Sequence, residues 1–483
     1  MVRDHLLRGV RGVTAHADLR SFAALLETTT HAQPDAPALI WDGGALSYRE
    51  LDAHAGGVAR TLVARGLRPG DRLAVIMTNG WAFVVALLGG LKAGLTVAPI
   101  DPLLKSEERA EIVADLKPAL VLDDLTSADA AEWTTREAAV APALVLYTSG
   151  STGRPKGALL SHAAVEFAQR SWAGPVMALT ANDVVLAALP LSHSFGLNGA
   201  LLAPLLAGAA VRLVERFSPD GVADLLRRER ITVLPAVATM FQRLLDVPGF
   251  AGGPALRIAV SGAAPCPWEL AQRWRARTGV RLVRGYGMTE LFRPLSYLAE
   301  NPTDLADAVG RAVPGVDARV VDDDGYTLGA GEAGELLIRT PAVMDGYLGA
   351  PEETRAVLAD GWFRTGDLAT IDRDGWVRIS GRKRERILRG GHSVFPSEVE
   401  TVLLAHPDVA EAAVVGVPHA ELGEDIAAFV VLRPGAAATS DALIAHCRER
   451  LAGYKYPRRV TLMAGLPRSS TGKVLKTRLV AEG

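Results

Sequence analysis

The sequence predicts an α/β protein: a large N-terminal body of βαβ-type sheets with a β-rich subdomain, followed by a small α+β C-terminal domain. Three observations lead there. Short apolar or β-branched runs alternate with amphipathic helical stretches over most of the chain, the pattern of parallel strands covered by helices on both faces. From about residue 316 the alternation gives way to strands joined by Asp-Gly turns, which is hairpin chemistry. Past Gly381–Arg384 a capped helix, a β-branched strand and a second helix make up about one hundred residues, the size of a small domain. The boundaries so drawn are 1–381 and 382–483.

In chain order, the runs at 72–78, 143–149, 183–189, 209–214, 231–235 and 256–262 read as strands, being short, apolar and bounded by turn residues. Residues 223–230 and 267–277 read as helices between them. Residues 317–339 and 366–381 read as hairpins. The basic stretch 382–392 ends in glycines, and the helix–strand–helix pattern follows it, with the last helix at 441–453. Two longer apolar stretches need separate treatment. Residues 81–100 are interrupted by Lys92 and by glycine and proline, and residues 184–214 by Pro190, His193, Asn198, Pro204 and Gly208. A membrane helix needs about 20 mostly apolar residues, so both are predicted to be buried segments, with no membrane span.

Composition narrows the function. The 483 residues hold 52 Lys+Arg against 54 Asp+Glu, a net charge of −2, which argues against nucleic acid as the main partner. Only Cys266 and Cys447 are present, which excludes a disulfide framework and a Cys-rich zinc site. The N-terminus lacks the apolar core of a signal peptide, and the cytoplasm is the expected compartment.

The most informative segment is LYTSGSTGRPKG, residues 146–157. A predicted strand runs into the small residues Thr148, Ser149, Gly150, Ser151, Thr152 and Gly153, and Lys156 follows. Glycines let backbone N–H groups turn toward an anion, hydroxyls add donors and the lysine adds charge, so the segment reads as a phosphate loop. It is not a Walker loop, because Lys156 precedes Gly157 instead of following a glycine. Nor is it a nucleophile elbow, because Ser149 stands where that motif needs glycine. The spacing Gly329, Gly331, Gly334 matches a dinucleotide fingerprint only formally, since a strand and not a helix is predicted after it.

YTSGSTGRPKG resembles the signature loop of the adenylate-forming superfamily, which includes acyl-CoA synthetases. Further signatures follow in family order: LPLSHSFGLNG (189–199), RGYGMTE (284–290), GELLIR (334–339), WFRTGDL (362–368), GRKRERILRGGHSVFPSEVE (381–400) and PRSSTGKVLK (467–476). The resemblance implies an ATP-dependent ligase. A carboxylate attacks the α-phosphate of ATP to give an acyl-adenylate and pyrophosphate, and a thiol then gives the thioester and AMP. It implies ATP, Mg²⁺ and coenzyme A, an aryl or medium-to-long aliphatic acid, and a monomer or homodimer.

The residue roles implied by the resemblance are as follows. The loop residues 148–153 and Lys156 hold the β- and γ-phosphates. Glu290 binds Mg²⁺, a hard cation that prefers carboxylate oxygen, and Thr289 bonds the α-phosphate. Tyr286 and Gly287, with Gly262, Ala263, Ala264 and Pro265, border the adenine. Asp367 and Arg382 take the ribose. Lys473 bridges carboxylate and α-phosphate during adenylation. His193, Phe195, Met240, Gly285, Met288 and Leu291 line the acyl pocket, with Phe241 a further candidate. The C-terminal domain rotates about Arg384, where the family more often has Asp or Lys, and Gly390 and Gly391 then wall the pantetheine tunnel. Arg389 and Lys455 are candidates for the CoA phosphates. An arginine in the acyl pocket, Arg284 or Arg293, would select a dicarboxylate through a bidentate pair. Two other readings stay open: an adenylation enzyme that loads a carrier-protein phosphopantetheine, and a non-catalytic nucleotide-binding protein.

Overall fold

In the computed structural model, residues 21–125, 129–136, 141–149, 154–300, 304–390, 392–468 and 474–480 are described. The chain folds into two compact units: residues 1–318 with 338–363, and residues 319–337 with 364–483. It therefore passes between units three times, after Ala318, Leu337 and Phe363. The expected division at residue 382 is not where packing divides the chain, because residues 364–381 pack with the C-terminal residues.

The first unit is built on two mostly parallel sheets. One runs in the order Leu282–Val283, Ile258–Ser261, Val233–Ala236, Val184–Ala187, Ala210–Leu213, Pro37–Trp41, Gly44–Ser47. The other runs Gly346–Tyr347, Pro155–Leu160, Leu144–Ser149, Thr96–Pro99, Arg72–Val75, Leu120–Leu122. The predicted strands in this unit are all present, each somewhat shorter than its apolar run. Both long apolar stretches are buried segments. Residues 81–100 become the helix Trp81–Lys92 and the strand Thr96–Pro99, and Lys92 is sealed in by Glu27 and Asp52, each 2.7 Å away. Residues 184–214 contain the π-helical turn Gly196–Leu202. Among the described residues, no helix is long and apolar enough to cross a membrane.

The second unit holds the predicted hairpins. Asp317–Val321, Gly334–Arg339 and Trp362–Ile371 lie side by side, and Val377–Arg382 pairs with the last of these. Its turns use Gly325 and Gly375, at φ +88° and +82°, as an Asp-Gly turn requires. Gly334 opens a strand, so the formal Gly-x-Gly-x-x-Gly match belongs to a hairpin. The C-terminal sheet runs His392–Val394, Ile387–Arg389, Gly423–Leu432, Val409–His419, with Arg459–Leu462 parallel to Gly423–Leu432. The helices Pro396–Leu404 and Ser440–Arg450 cover its apolar core of Val399, Leu403, Val414, Ala428 and Leu443.

Candidate active site

Open parallel sheets bind ligands beyond the carboxyl ends of their strands, and in the first unit the candidate residues stand there. Thr148 and Ser149 end the strand Leu144–Ser149, Asp101 follows Thr96–Pro99, His193 follows Val184–Ala187, and Gly262 follows Ile258–Ser261. A clamp ties these ends together. The side-chain amide of Asn79 donates to the carbonyls of Leu189 (2.7 Å) and Val214 (3.2 Å), and its oxygen accepts the Leu191 N–H at 2.8 Å.

Lys156 lies opposite Thr148 in the antiparallel pair Leu144–Ser149 and Pro155–Leu160. The intervening Gly150, Ser151, Thr152 and Gly153, and the side chain of Ser149, lie outside what is described. The ammonium of Lys156 ion-pairs with Glu353 and stands 5.2 Å from the ring centroid of Tyr347. The Tyr347 hydroxyl donates to Glu290 Oε1 at 2.8 Å. One phenol therefore holds a cation on its face and a carboxylate at its tip. Burial, then the Glu290 carboxylate, pushes the Tyr347 hydroxyl well above its ordinary pKa, so it stays a donor. Tyr347 and Glu353 escaped the sequence reading. They arrive because Gly346–Tyr347 adds to the edge of this sheet beside Pro155–Leu160.

Glu290 itself sits in the turn Thr289–Leu291 between the strands Gly285–Met288 and Phe292–Ser296. The pairing shifts register here, leaving extra residues on the second strand opposite Gly287. Such a bulge re-aims side chains. It goes with a left-handed backbone at Phe292, φ +57°, rare for a bulky residue, and a second such residue, Ala263 at φ +63°, follows Gly262. A Cβ on Gly287 would collide with the Phe292 carbonyl, so glycine is required there.

His193 Nε2 lies 3.2 Å from Asp101 Oδ2, another pairing that sequence reasoning missed. Burial alone would raise the Asp101 pKa. The His193 side chain and the Leu103 N–H outweigh it and hold the carboxyl below the ordinary carboxylate range. Among the acyl-pocket candidates, Phe195 stacks on Trp172 at 5.5 Å, Leu291 is buried, and Met288 and Gly285 are partly exposed. Met240 and Phe241 are buried in the apolar cluster that also holds Leu244 and Trp274, and Phe195 packs against that cluster from the edge. The two arginines separate. Arg284 is tied to the carbonyls of Leu305 and Ala306 and lies over Trp268, whereas Arg293 turns inward beneath Gly262 and Gly285.

In the second unit Asp367 and Arg382 are direct cross-strand partners, with Arg382 Nε 3.2 Å from Asp367 Oδ1. The backbone of Arg384 lies in the short turn Lys383–Glu385, where Lys383 pairs with Asp323 (2.8 Å) and Glu335 (3.3 Å). Gly390, at φ +55°, sits between Ile387–Arg389 and His392–Val394. Gly391 and Lys473 lie outside the described residues. Arg389 and Lys455, read as CoA-phosphate contacts, are held by Asp425 (2.6 Å) and Glu398 (2.7 Å).

A sequence profile of the AMP-binding enzyme family matches residues 26–348, and one of the AMP-binding enzyme C-terminal domain matches residues 398–473. The chain is 36% identical to a feruloyl-CoA synthase of an Amycolatopsis species, across 92% of this chain and 95% of that protein. It is 33% identical to a long-chain-fatty-acid–CoA ligase of Yersinia pestis, across 99% and 98%. Among solved structures, ATP-bound MatB from Rhodopseudomonas palustris matches with a TM-score of 0.90 at 34% identity, over 95% of this chain and 98% of that one.

Proposed function

The chain belongs to the AMP-binding enzyme family and is an acid–thiol ligase, and from that premise we propose how its residues join a carboxylic acid to coenzyme A. The acid's carboxylate attacks the α-phosphate of ATP, and pyrophosphate leaves. The thiol of coenzyme A then attacks the acyl carbon of the adenylate, AMP leaves, and the thiol proton passes to solvent. The first step joins two anions, so the site must neutralise charge and fix the line of attack.

The observation that carries this reading is the assembly of Lys156, Tyr347 and Glu290 at the strand ends. Lys156, with Thr148, Ser149 and the loop to Gly153, takes the β- and γ-phosphates. Glu290 suits Mg²⁺, which keeps most of its shell as water and phosphate oxygen and needs only one or two protein carboxylates. Glu290, a carboxylate already oriented by the Tyr347 hydroxyl at 2.8 Å, has the chemistry that demand calls for. When bound, the ion neutralises phosphate charge. Tyr347 holds the Glu290 carboxylate in place for it. Thr289 bonds the α-phosphate, Tyr286, Gly287 and the 262–265 turn border adenine, and Asp367 with Arg382 takes the ribose. Lys473 supplies the point charge between carboxylate and α-phosphate, a role suited to a flexible ammonium. For the second step, residues from 382 onward rotate about Arg384, and Gly390 and Gly391 border the thiol arm.

His193, Phe195, Met240, Gly285, Met288 and Leu291 border the acyl group, for which an aryl or medium-to-long aliphatic acid is the class. The feruloyl and long-chain relatives support that range. The test is pyrophosphate release across a panel of carboxylic acids, with thioester yield compared between free coenzyme A and a carrier protein. Pyrophosphate that depends on acid and ATP, with thioester on free coenzyme A, is the expected result. No pyrophosphate with any acid refutes the reading.

A further inference from the structure

Arg293 is 6% exposed, and among the described residues it has no carboxylate within ion-pair distance. Its Nε donates to Ser296 Oγ at 2.9 Å and its Nη1 to the Ser261 carbonyl at 2.8 Å, while Nη2 is buried with no partner among the described residues. The guanidinium lies over the Trp172 ring, 4.9 Å from its centroid. Among the described residues the titratable group acting on it is Cys266, whose thiol burial pushes up, so it stays neutral and supplies no counter-charge. Burial pushes the guanidinium itself down to about 9. A buried cation without an anion is costly to keep, by several kcal/mol for an unrelieved charge, and an orphaned buried donor adds to that cost.

The direction of the orphaned nitrogen decides what it is for. Nη2 is the atom nearest to where a Cβ on Gly285 would stand, and such a Cβ would collide with it. A Cβ on Gly262 would lie 3.2 Å from Nη1 and 3.1 Å from the Phe195 ring. Gly285 is partly exposed and precedes the adenine candidate Tyr286, so the guanidinium fills the side-chain side of the wall assigned above to the acyl group. Trp172 and Phe195 complete the cage. Trp172 opens the π-helical turn Trp172–Val176 and Phe195 directly precedes the turn Gly196–Leu202, and such turns recur at functional sites. Arg284 differs: both its terminal nitrogens are occupied by the Leu305 and Ala306 carbonyls, and its unpartnered donor is Nε, which a fork-to-fork carboxylate contact would meet only beside an already occupied nitrogen.

We propose that Arg293 is a specificity-determining residue that receives a second carboxylate on the acyl substrate, so that the preferred acids are dicarboxylates. This rests on the ligase reading and narrows its acyl class. The anion that the described residues do not provide to Arg293 is supplied by the substrate, with the unpartnered Nη2 as its donor. A guanidinium also explains why the site would reject the matching monoacid, which leaves the buried charge unpaired.

The test measures kcat/KM for pyrophosphate release with α,ω-dicarboxylates of three to eight carbons and monocarboxylates of equal length, in the wild type, Arg293→Gln and Arg293→Lys. At one or more lengths the wild type should favour the diacid by at least about tenfold. In Arg293→Gln that ratio should fall by about tenfold or more, and Arg293→Lys should recover part of it. A merely structural arginine would lower both acids by the same factor and leave the ratio unmoved, which overturns the proposal. Should Arg293→Gln fail to fold, the wild-type ratio and the lysine variant still decide. Turnover of monoacids with no preference for any diacid sinks this inference and leaves the ligase reading intact, whereas no pyrophosphate with any acid removes both.

Discussion

Glu353→Gln should tighten ATP binding, although Glu353 touches nothing assigned to ATP but Lys156. Lys156 is ion-paired with Glu353, at side-chain exposures of 17% and 47%. A pair this open to water contributes roughly 0.5–1 kcal/mol. Lys156 must leave Glu353 to meet a phosphate, so the measured affinity is lowered by the fraction of molecules in which it is free. Glutamine keeps the shape and removes the competing charge, which predicts a KM for ATP lower by about two- to fivefold, 1.4 kcal/mol being a factor of ten. Pyrophosphate release at saturating acid gives the KM, and calorimetry with a non-hydrolysable ATP analogue gives the binding constant directly. The gain should shrink between about 0.05 and 0.5 M salt, because partly exposed charges are screened. It should also vanish in a Lys156→Gln background, the coupling that identifies the pair. Weaker ATP binding in Glu353→Gln, or an equal gain without Lys156, refutes the reasoning.

Three more predictions concern other parts of the site. Lys473→Ala should abolish pyrophosphate release while sparing thioester formation from supplied acyl-adenylate; equal loss of both halves would remove Lys473 from the first step. Gly391→Trp should do the reverse, and normal thioester formation in that variant would take Gly391 out of the proposed tunnel. Asp101 carries the pH dependence. Its folded pKa is depressed, so its contribution to stability is present above the unfolded value of about 3.9 and is lost as pH falls through the folded value. Asp101→Asn should therefore lower the thermal midpoint at pH 7 by an amount corresponding to about 1 kcal/mol. The gap to the wild type should narrow as pH falls below about 3.9 and through the depressed folded value, and a gap that widens in acid contradicts the assignment.

Much of the first unit was legible because each strand is an apolar run with its own boundaries, and because the phosphate-loop lysine and Glu290 each sit within a short motif that is continuous in sequence. What stayed illegible is what the sheets bring together from a distance. Asp101 meets His193 across 92 residues, and Tyr347 meets Glu290 across 57. No local pattern marks either. Arg284 and Arg293 both flank the same motif and could not be told apart by spacing. The bulge opposite Gly287 separates them, and it depends on a backbone conformation at Phe292 that residue type argues against. Which unit the hairpins at 364–381 pack with was illegible for a related reason, because such hairpins read the same in either.

The three passages of the backbone between the units bear on how this protein can be taken apart. With a single passage, one protease cut or one truncation would yield two separately folding pieces. Here a fragment starting at residue 382 lacks 319–337 and 364–381, and so loses the sheet formed by Gly334–Arg339, Trp362–Ile371 and Val377–Arg382. A fragment ending at 318 loses Gly346–Tyr347, and with it the edge strand that presents Tyr347 and Glu353 to Lys156. Splitting the gene at either point should give insoluble halves, and co-expression of the halves is the only route by which complementation could restore turnover.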